Sequence, residues 1–180
     1  MSVNHARWTR TMVGVGLAAL VASAAVTSAH ADAPAAATAE RTSLVSDLRI
    51  EALEGSEFRV SDHAGKVIVL NFWGQWCGPC LEELPHLQRL SEELTDVVFA
   101  TVNTDGREFS AGMRKAFQDV AVRLPIYLDE NGSVNRRFSR ASTTPFTVVI
   151  GPDGRVAWTH SGFDADTIRQ LRAAIAAAKR

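Results

Sequence analysis

The chain has 180 residues, with 19 Lys and Arg against 20 Asp and Glu for a net charge of −1, and only two cysteines. That balance gives no electrostatic case for nucleic acid or an anionic membrane as a partner, and two cysteines exclude a disulfide-rich framework. The length suits one domain with a single core behind a short leader, and no internal repeat is visible.

The first residues read as an export signal. Arg7 and Arg10 form a basic start, Met12 to Val26 is a mostly apolar stretch of Ala, Val, Leu and Gly, and Ala29-His30-Ala31 has the small-x-small form of a cleavage site. Removal of residues 1–31 as a signal peptide is expected, leaving a mature chain from Asp32 with 17 basic and 20 acidic residues, a net −3. An uncleaved anchor is the rival reading, but the apolar stretch is shorter than the ~20 residues a spanning helix needs. Residues 32–43, rich in Ala and Thr around Pro34, are expected to be a flexible leader, with the folded domain over 44–180.

Within that domain, Leu48 to Leu53 and Phe58 to Val60 flank Glu54-Gly55-Ser56 and predict a short β-hairpin. Gly65-Lys66 then introduces a buried strand from Val67 to Trp73. Leu81, Leu84, Leu87, Leu90 and Leu94 recur at helical spacing, so Pro79 to Leu94 is an amphipathic helix in which Pro85 should make a kink. Val97 to Val102 is the next buried strand, Glu108 to Val120 a helix, Leu124 to Leu128 a short strand, and a short helix ends at Phe138. Phe146 to Ile150 and Arg155 to Thr159 bracket Gly151-Pro152-Asp153-Gly154 as a hairpin, and Asp166 to Ala178 closes the chain as a helix. Strands alternating with helices and ending in a hairpin imply an α/β fold with a mixed sheet covered on both faces.

Cys77-Gly78-Pro79-Cys80 sits where a buried strand gives way to a helix, the placement of a redox dithiol. At a helix N-terminus, free backbone N–H groups and the positive end of the helix dipole favour a thiolate at Cys77. Cys80, one turn further in, can attack a mixed disulfide formed at Cys77. A structural disulfide here would close too short a loop to remove much chain entropy. Half of a zinc site would need a second CxxC or an H-x₃₋₅-H pair, and His5, His30, His63, His86 and His160 do not supply one. No metal or cofactor is expected beyond the redox-active Cys77–Cys80 pair itself. Trp73 reads as core, whereas Trp76, directly before Cys77, reads as part of the apolar surface around the sulfur.

Over residues 45–178 the chain resembles the thioredoxin superfamily, and more narrowly the exported TlpA/ResA-like thiol–disulfide oxidoreductases. The resemblance rests on Asn71-Phe72-Trp73-Gly74-Gln75-Trp76-Cys77-Gly78-Pro79-Cys80, the Gly65-Lys66 lead-in, and Thr143-Thr144-Pro145-Phe146-Thr147-Val148-Val149-Ile150. It implies a thioredoxin-like three-layer fold: a central mixed sheet flanked by helices, with an N-terminal β-hairpin. Cytosolic thioredoxins usually place a buried aspartate where this chain has Asn71; the resemblance assigns the missing carboxylate to Glu83, as proton acceptor for Cys80. It also makes Thr144–Pro145 a cis bond that sets the Thr144 backbone beside Cys77 to pair with a substrate strand. The approach to that proline, Arg140 to Thr144, lacks the usual Gly-x-Pro.

The implied activity is reduction of protein disulfides in an extracytoplasmic compartment, by a monomer fed electrons by a membrane thiol donor. Apocytochrome c or copper-site cysteines would be the targets. A thiol peroxidase-like redoxin is the rival enzyme, but it would need Thr or Ser at position 74 and Pro near position 70, where Gly74 and Leu70 stand. A metal chaperone or redox-inert binding module is the non-enzymatic rival.

Overall fold

A computed structural model describes residues 44–180; the expected signal peptide over 1–31 and leader over 32–43 lie outside the described residues. The elements in chain order are β1 (Arg49–Ala52), β2 (Glu57–Arg59), β3 (Ile68–Trp73), α1 (Gly78–Glu93), β4 (Val98–Asn103), α2 (Ser110–Asp119), β5 (Ile126–Leu128), α3 (Ser133–Phe138), β6 (Phe146–Ile150), β7 (Val156–Ser161) and α4 (Thr167–Ala178). The strands form one sheet in the order β2-β1-β5-β4-β3-β6-β7. The β3–β4 and β4–β5 pairs are parallel and the others antiparallel.

All six residues of β3 are buried, because a central strand covered on both faces meets apolar side chains above and below. Ile68, Leu70 and Phe72 pack with Val148, Ile150, Phe138 and the N-terminal residues Val45 and Leu48 on one face. Val67 and Val69 turn the other way, where Leu87 and Leu90 of α1 and Leu171 and Ile175 of α4 close over them. Each such side chain contributes about 1.5–3 kcal/mol of burial, so the α1 and α4 contacts anchor the third layer. A separate apolar cluster under α2 joins Met113 and Phe117 to Trp73, Cys80 and Leu84.

Several predicted boundaries shift for local reasons. The helix expected from Glu108 begins as a 3₁₀ turn over Arg107–Phe109, and α2 starts only at Ser110. The strand expected from Leu124 is confined to Ile126–Leu128; Pro125 has no N–H to donate, and its carbonyl takes the Thr101 hydroxyl at 2.7 Å. α1 runs unbroken through Pro85 to Glu93, although the proline removes the bond to the Leu81 carbonyl. Gly65 and Gly154 hold φ of +84° and +74°, a region in which a side chain is strained, and these turns lead into β3 and β7.

Candidate active site

β3 ends at Trp73, and the chain leaves the sheet through Gly74, Gln75 and Trp76 before α1 begins at Gly78. Cys77 is the N-cap of α1 in an extended conformation, and the Cys80 N–H donates to its Sγ at 3.3 Å. Pro79 fits the first turn because its missing N–H would have had no intrahelical partner there. Cys77 and Cys80 are joined as a disulfide. The two sulfurs have different surroundings: Cys77 is half-buried at the helix end, while Cys80 has no exposed surface and packs beside Trp73, Leu84 and Met113.

One turn beyond Cys80 on the same helix, Glu83 is also fully buried. Its carboxyl oxygens are both satisfied: Asn71 Nδ2 donates to Oε2 at 2.9 Å and Thr147 Oγ1 donates to Oε1 at 3.1 Å. The second Asn71 amide hydrogen goes to Thr147 Oγ1 at 2.9 Å. Asn71 and Thr147 are register partners on β3 and β6, so their side chains share the face that α1 covers. Burial pushes the Glu83 carboxyl from its ordinary 4.5 up to about 7, against the opposing effect of the Asn71 and Thr147 hydrogen bonds. Such a group exchanges its proton near neutrality.

The Thr144–Pro145 bond is cis. Pro145 is buried and Thr144 half-buried, one position beyond the Phe72–Phe146 register pair, which brings this corner opposite the end of β3 that leads to Cys77. The corner is fixed on three sides: Asn135 Nδ2 donates to the Thr143 carbonyl at 3.2 Å, Thr143 Oγ1 and Ser161 Oγ lie 2.9 Å apart, and Gly162 N–H donates to the Pro145 carbonyl at 2.8 Å. Asn135 is held in turn by its own N–H, which donates to the buried Asp129 carboxylate at 2.7 Å.

Trp76 is 71% exposed and meets the ring of Phe109, itself 41% exposed, edge-on with centroids 4.9 Å apart. Beneath them, Gln75 N–H donates to Asp105 Oδ2 at 2.8 Å, Asp105 N–H to Asn103 Oδ1 at 2.7 Å, and Thr104 N–H to the Trp73 carbonyl at 3.0 Å. This loop after β4 therefore braces the backbone that enters the cysteine pair.

The structure thus brings Cys77, Cys80, Glu83, Trp76, Thr144 and Pro145 to one end of the sheet. Thr147, Asn103, Asp105 and Phe109 were not anticipated as parts of that end. The turn-forming run Asn103-Thr104-Asp105-Gly106, directly after a strand parallel to β3, is the signal that could have placed the brace there. Among the described residues no group of three or more His, Cys, Asp or Glu is arranged to hold a metal ion.

The family model described as redoxin matches residues 29–175. The chain belongs to the redoxin family. Thioredoxin-like protein YneN of Bacillus subtilis is 31% identical over 118 residues, 64% of this redoxin and 68% of YneN. Thiol-disulfide oxidoreductase ResA of the same organism is 28% identical over 113 residues, covering 63% of each chain, so the redoxin spans less than two thirds of that relative. Among solved structures, the pneumococcal exposed lipoprotein thioredoxin Etrx1 from Streptococcus pneumoniae is 26% identical with a TM-score of 0.59, covering 71% of this chain and 97% of its own. A candidate thiol:disulfide interchange protein DsbE from Chlorobium tepidum is 25% identical with a TM-score of 0.67, covering 78% and 98%. The likenesses place the redoxin in the TlpA/ResA-like part of the thioredoxin superfamily and bear out the expected mixed sheet flanked by helices.

Proposed function

We propose that this redoxin is an exported thiol–disulfide oxidoreductase that reduces disulfides in partner proteins. The observation that carries the reading is the asymmetry of the Cys77–Cys80 disulfide, one sulfur at the surface and the other buried one turn from a buried acid. In the reduced protein the Cys77 thiolate, facing the N–H groups of the first turn of α1, attacks a partner disulfide. A mixed disulfide forms and one partner thiolate leaves. Glu83 takes the proton of the Cys80 thiol, and the Cys80 thiolate attacks Cys77 Sγ. The second partner thiolate leaves, so two electrons pass to the partner and the Cys77–Cys80 disulfide forms. The Thr144 backbone at the cis corner offers a short edge for an extended substrate segment, and Trp76 an apolar surface beside the reacting sulfur.

Export is supported by the basic and apolar pattern before Asp32, and by the likeness to Etrx1, an exposed lipoprotein. In an oxidising compartment the dithiol needs a dedicated supply of electrons, for which a membrane thiol donor is the fitting source. Apocytochrome c and copper-site cysteines are the target classes that the ResA-like pattern favours. Expression of Cys80→Ser in the native host should trap partners as mixed disulfides at Cys77 that a reductant releases. Failure to trap any protein, together with no acceleration of insulin reduction by dithiothreitol, would overturn the proposal. Consumption of peroxide in that assay would favour the peroxidase instead.

A further inference from the structure

The three hydrogen bonds around Glu83 form a closed ring whose donors run one way. Asn71 spends both amide hydrogens, one on Glu83 Oε2 and one on Thr147 Oγ1, and the Thr147 hydroxyl passes its own hydrogen to Glu83 Oε1. Asn71 Oδ1 is buried and makes no hydrogen bond among the described residues. A ring in which both carboxyl oxygens accept suits the carboxylate and opposes the acid. Placing a proton on Oε1 forces the Thr147 hydroxyl to stop donating and start accepting; placing it on Oε2 collides with the Asn71 amide hydrogen.

We infer that Thr147 is a positioning residue of the redox site, whose hydroxyl, oriented by Asn71, aims the Glu83 carboxylate and favours its ionised form. Thr147 therefore sets the pH at which Glu83 becomes available to accept the Cys80 proton, a consequence that rests on the function proposed above. The geometry makes the assignment specific. Thr147 is buried in the middle of β6, between Phe146 and Val148, which face the opposite side of the sheet. A β-branched residue in a strand has a stiff χ1, so the hydroxyl is pre-aimed rather than one rotamer among several.

The other groups around Glu83 do not supply this control. Cys80 precedes it by one turn on α1, and His86 follows on that helix with its ring against Phe163. Thr101 of β4, opposite Asn71, gives its hydroxyl to the Pro125 carbonyl. His160 of β7, opposite Thr147, lies 3.2 Å from the hydroxyl of Thr167 on α4, which also bonds Asp164. Glu83 makes no ion pair with any of them, which leaves Asn71 and Thr147 as its direct partners among the described residues.

The test reads Glu83 itself. In the oxidised protein the cysteines do not titrate, so ¹³C-carboxyl NMR of glutamate-labelled protein, with Glu83→Gln identifying the signal, follows the Glu83 titration independently of catalysis. Thr147→Val should move its midpoint up by about one pH unit, the worth of one lost hydrogen bond to a charged group. Thr147→Ser should return it to the wild-type position, and Thr147→Ala serves in place of Val if that variant does not fold. In single-turnover release of a mixed disulfide, Thr147→Val should be slowed about five-fold at pH 7 and recover at higher pH, whereas general damage to packing would slow it equally at every pH. An unmoved midpoint in Thr147→Val, or a Thr147→Ser variant that shifts as far as Val, overturns the inference. A release profile unchanged in Glu83→Gln would instead overturn the role of Glu83 as base while leaving the NMR result to judge Thr147.

Discussion

Replacing Glu83 with Gln should make the protein more stable at alkaline pH, and the size of the gain follows from the site. In the folded protein the carboxyl is raised from 4.5 to about 7 by burial, so the native state holds this proton more tightly than the unfolded chain. The associated stability is complete below about pH 4.5 and is lost as pH rises through about 7. At ~1.36 kcal/mol per pH unit, the interval amounts to about 3 kcal/mol of destabilisation above pH 8. Glu83→Gln cannot ionise, and its amide oxygen can still accept from Asn71 Nδ2 while its amide nitrogen donates to Thr147 Oγ1. Urea unfolding of the two oxidised proteins at intervals from pH 4 to 9 measures the difference, and every other titrating group cancels from it. The variant should match wild type near pH 4.5, gain steadily to neutrality and level off about 3 kcal/mol ahead. A difference that stays flat across that range would refute the argument that Glu83 is buried at the expense of its charge.

In the fully reduced protein, iodoacetamide below pH 8 should modify Cys77 before Cys80, because only Cys77 reaches solvent and faces the first-turn N–H groups; equal or reversed rates by mass spectrometry would sink the assignment. Leu87→Ala should cost about 2–5 kcal/mol in chemical denaturation, since Leu87 is buried where α1 meets β3 and α4. Asp129→Ala should cost about 1–3 kcal/mol, as the N–H groups of Val134 and Asn135 lose their shared acceptor; an unchanged Tm would show that those bonds carry no weight. Equilibration with thiol buffers should give a reduction potential on the order of −200 to −280 mV, and a value above about −150 mV would make the protein an oxidant.

The parts of this molecule that were legible in the sequence are those governed by short-range pattern. The leucine repeat from Leu81 to Leu90 and the apolar run ending at Trp73 reveal α1 and β3, and the CxxC between them marks the site. The hairpin turn Gly151-Pro152-Asp153-Gly154 was equally plain, and β6 and β7 flank it. Glu83 was less so. Beside Glu82 on an amphipathic helix it reads as a solvated charge, and only the family resemblance singled it out. What the residues alone could not show is that Asn71 and Thr147, 76 positions apart, would meet over it. That contact is fixed by strand register, and register depends on which strands pair across the whole sheet. The brace from Asn103 to Asp105 escaped notice for the same reason, since its role depends on the parallel pairing of β3 with β4.

A buried carboxylic acid is a poor structural element. If Glu83 served only to fill space, an apolar residue of similar volume would avoid both the desolvation and the pH-dependent loss of stability. The surroundings do not neutralise the problem with a cation, as a structural ion pair would. They supply two neutral donors, Asn71 and Thr147, which partly restore the ionised form without fixing it. An opposite charge at this distance would pull the carboxyl back toward or below its ordinary range and leave it ionised at neutral pH, with little tendency to take up a proton. Neutral donors in a dry site instead leave the two protonation states close in free energy near pH 7, the condition under which a group can accept a proton and return it. Cys80 is buried as completely as Glu83, and in the proposed reaction its proton must be removed without help from water. In that proposed reaction, burial of the acid and burial of the sulfur act together: the first holds the proton acceptor near neutrality, and the second makes such an acceptor necessary.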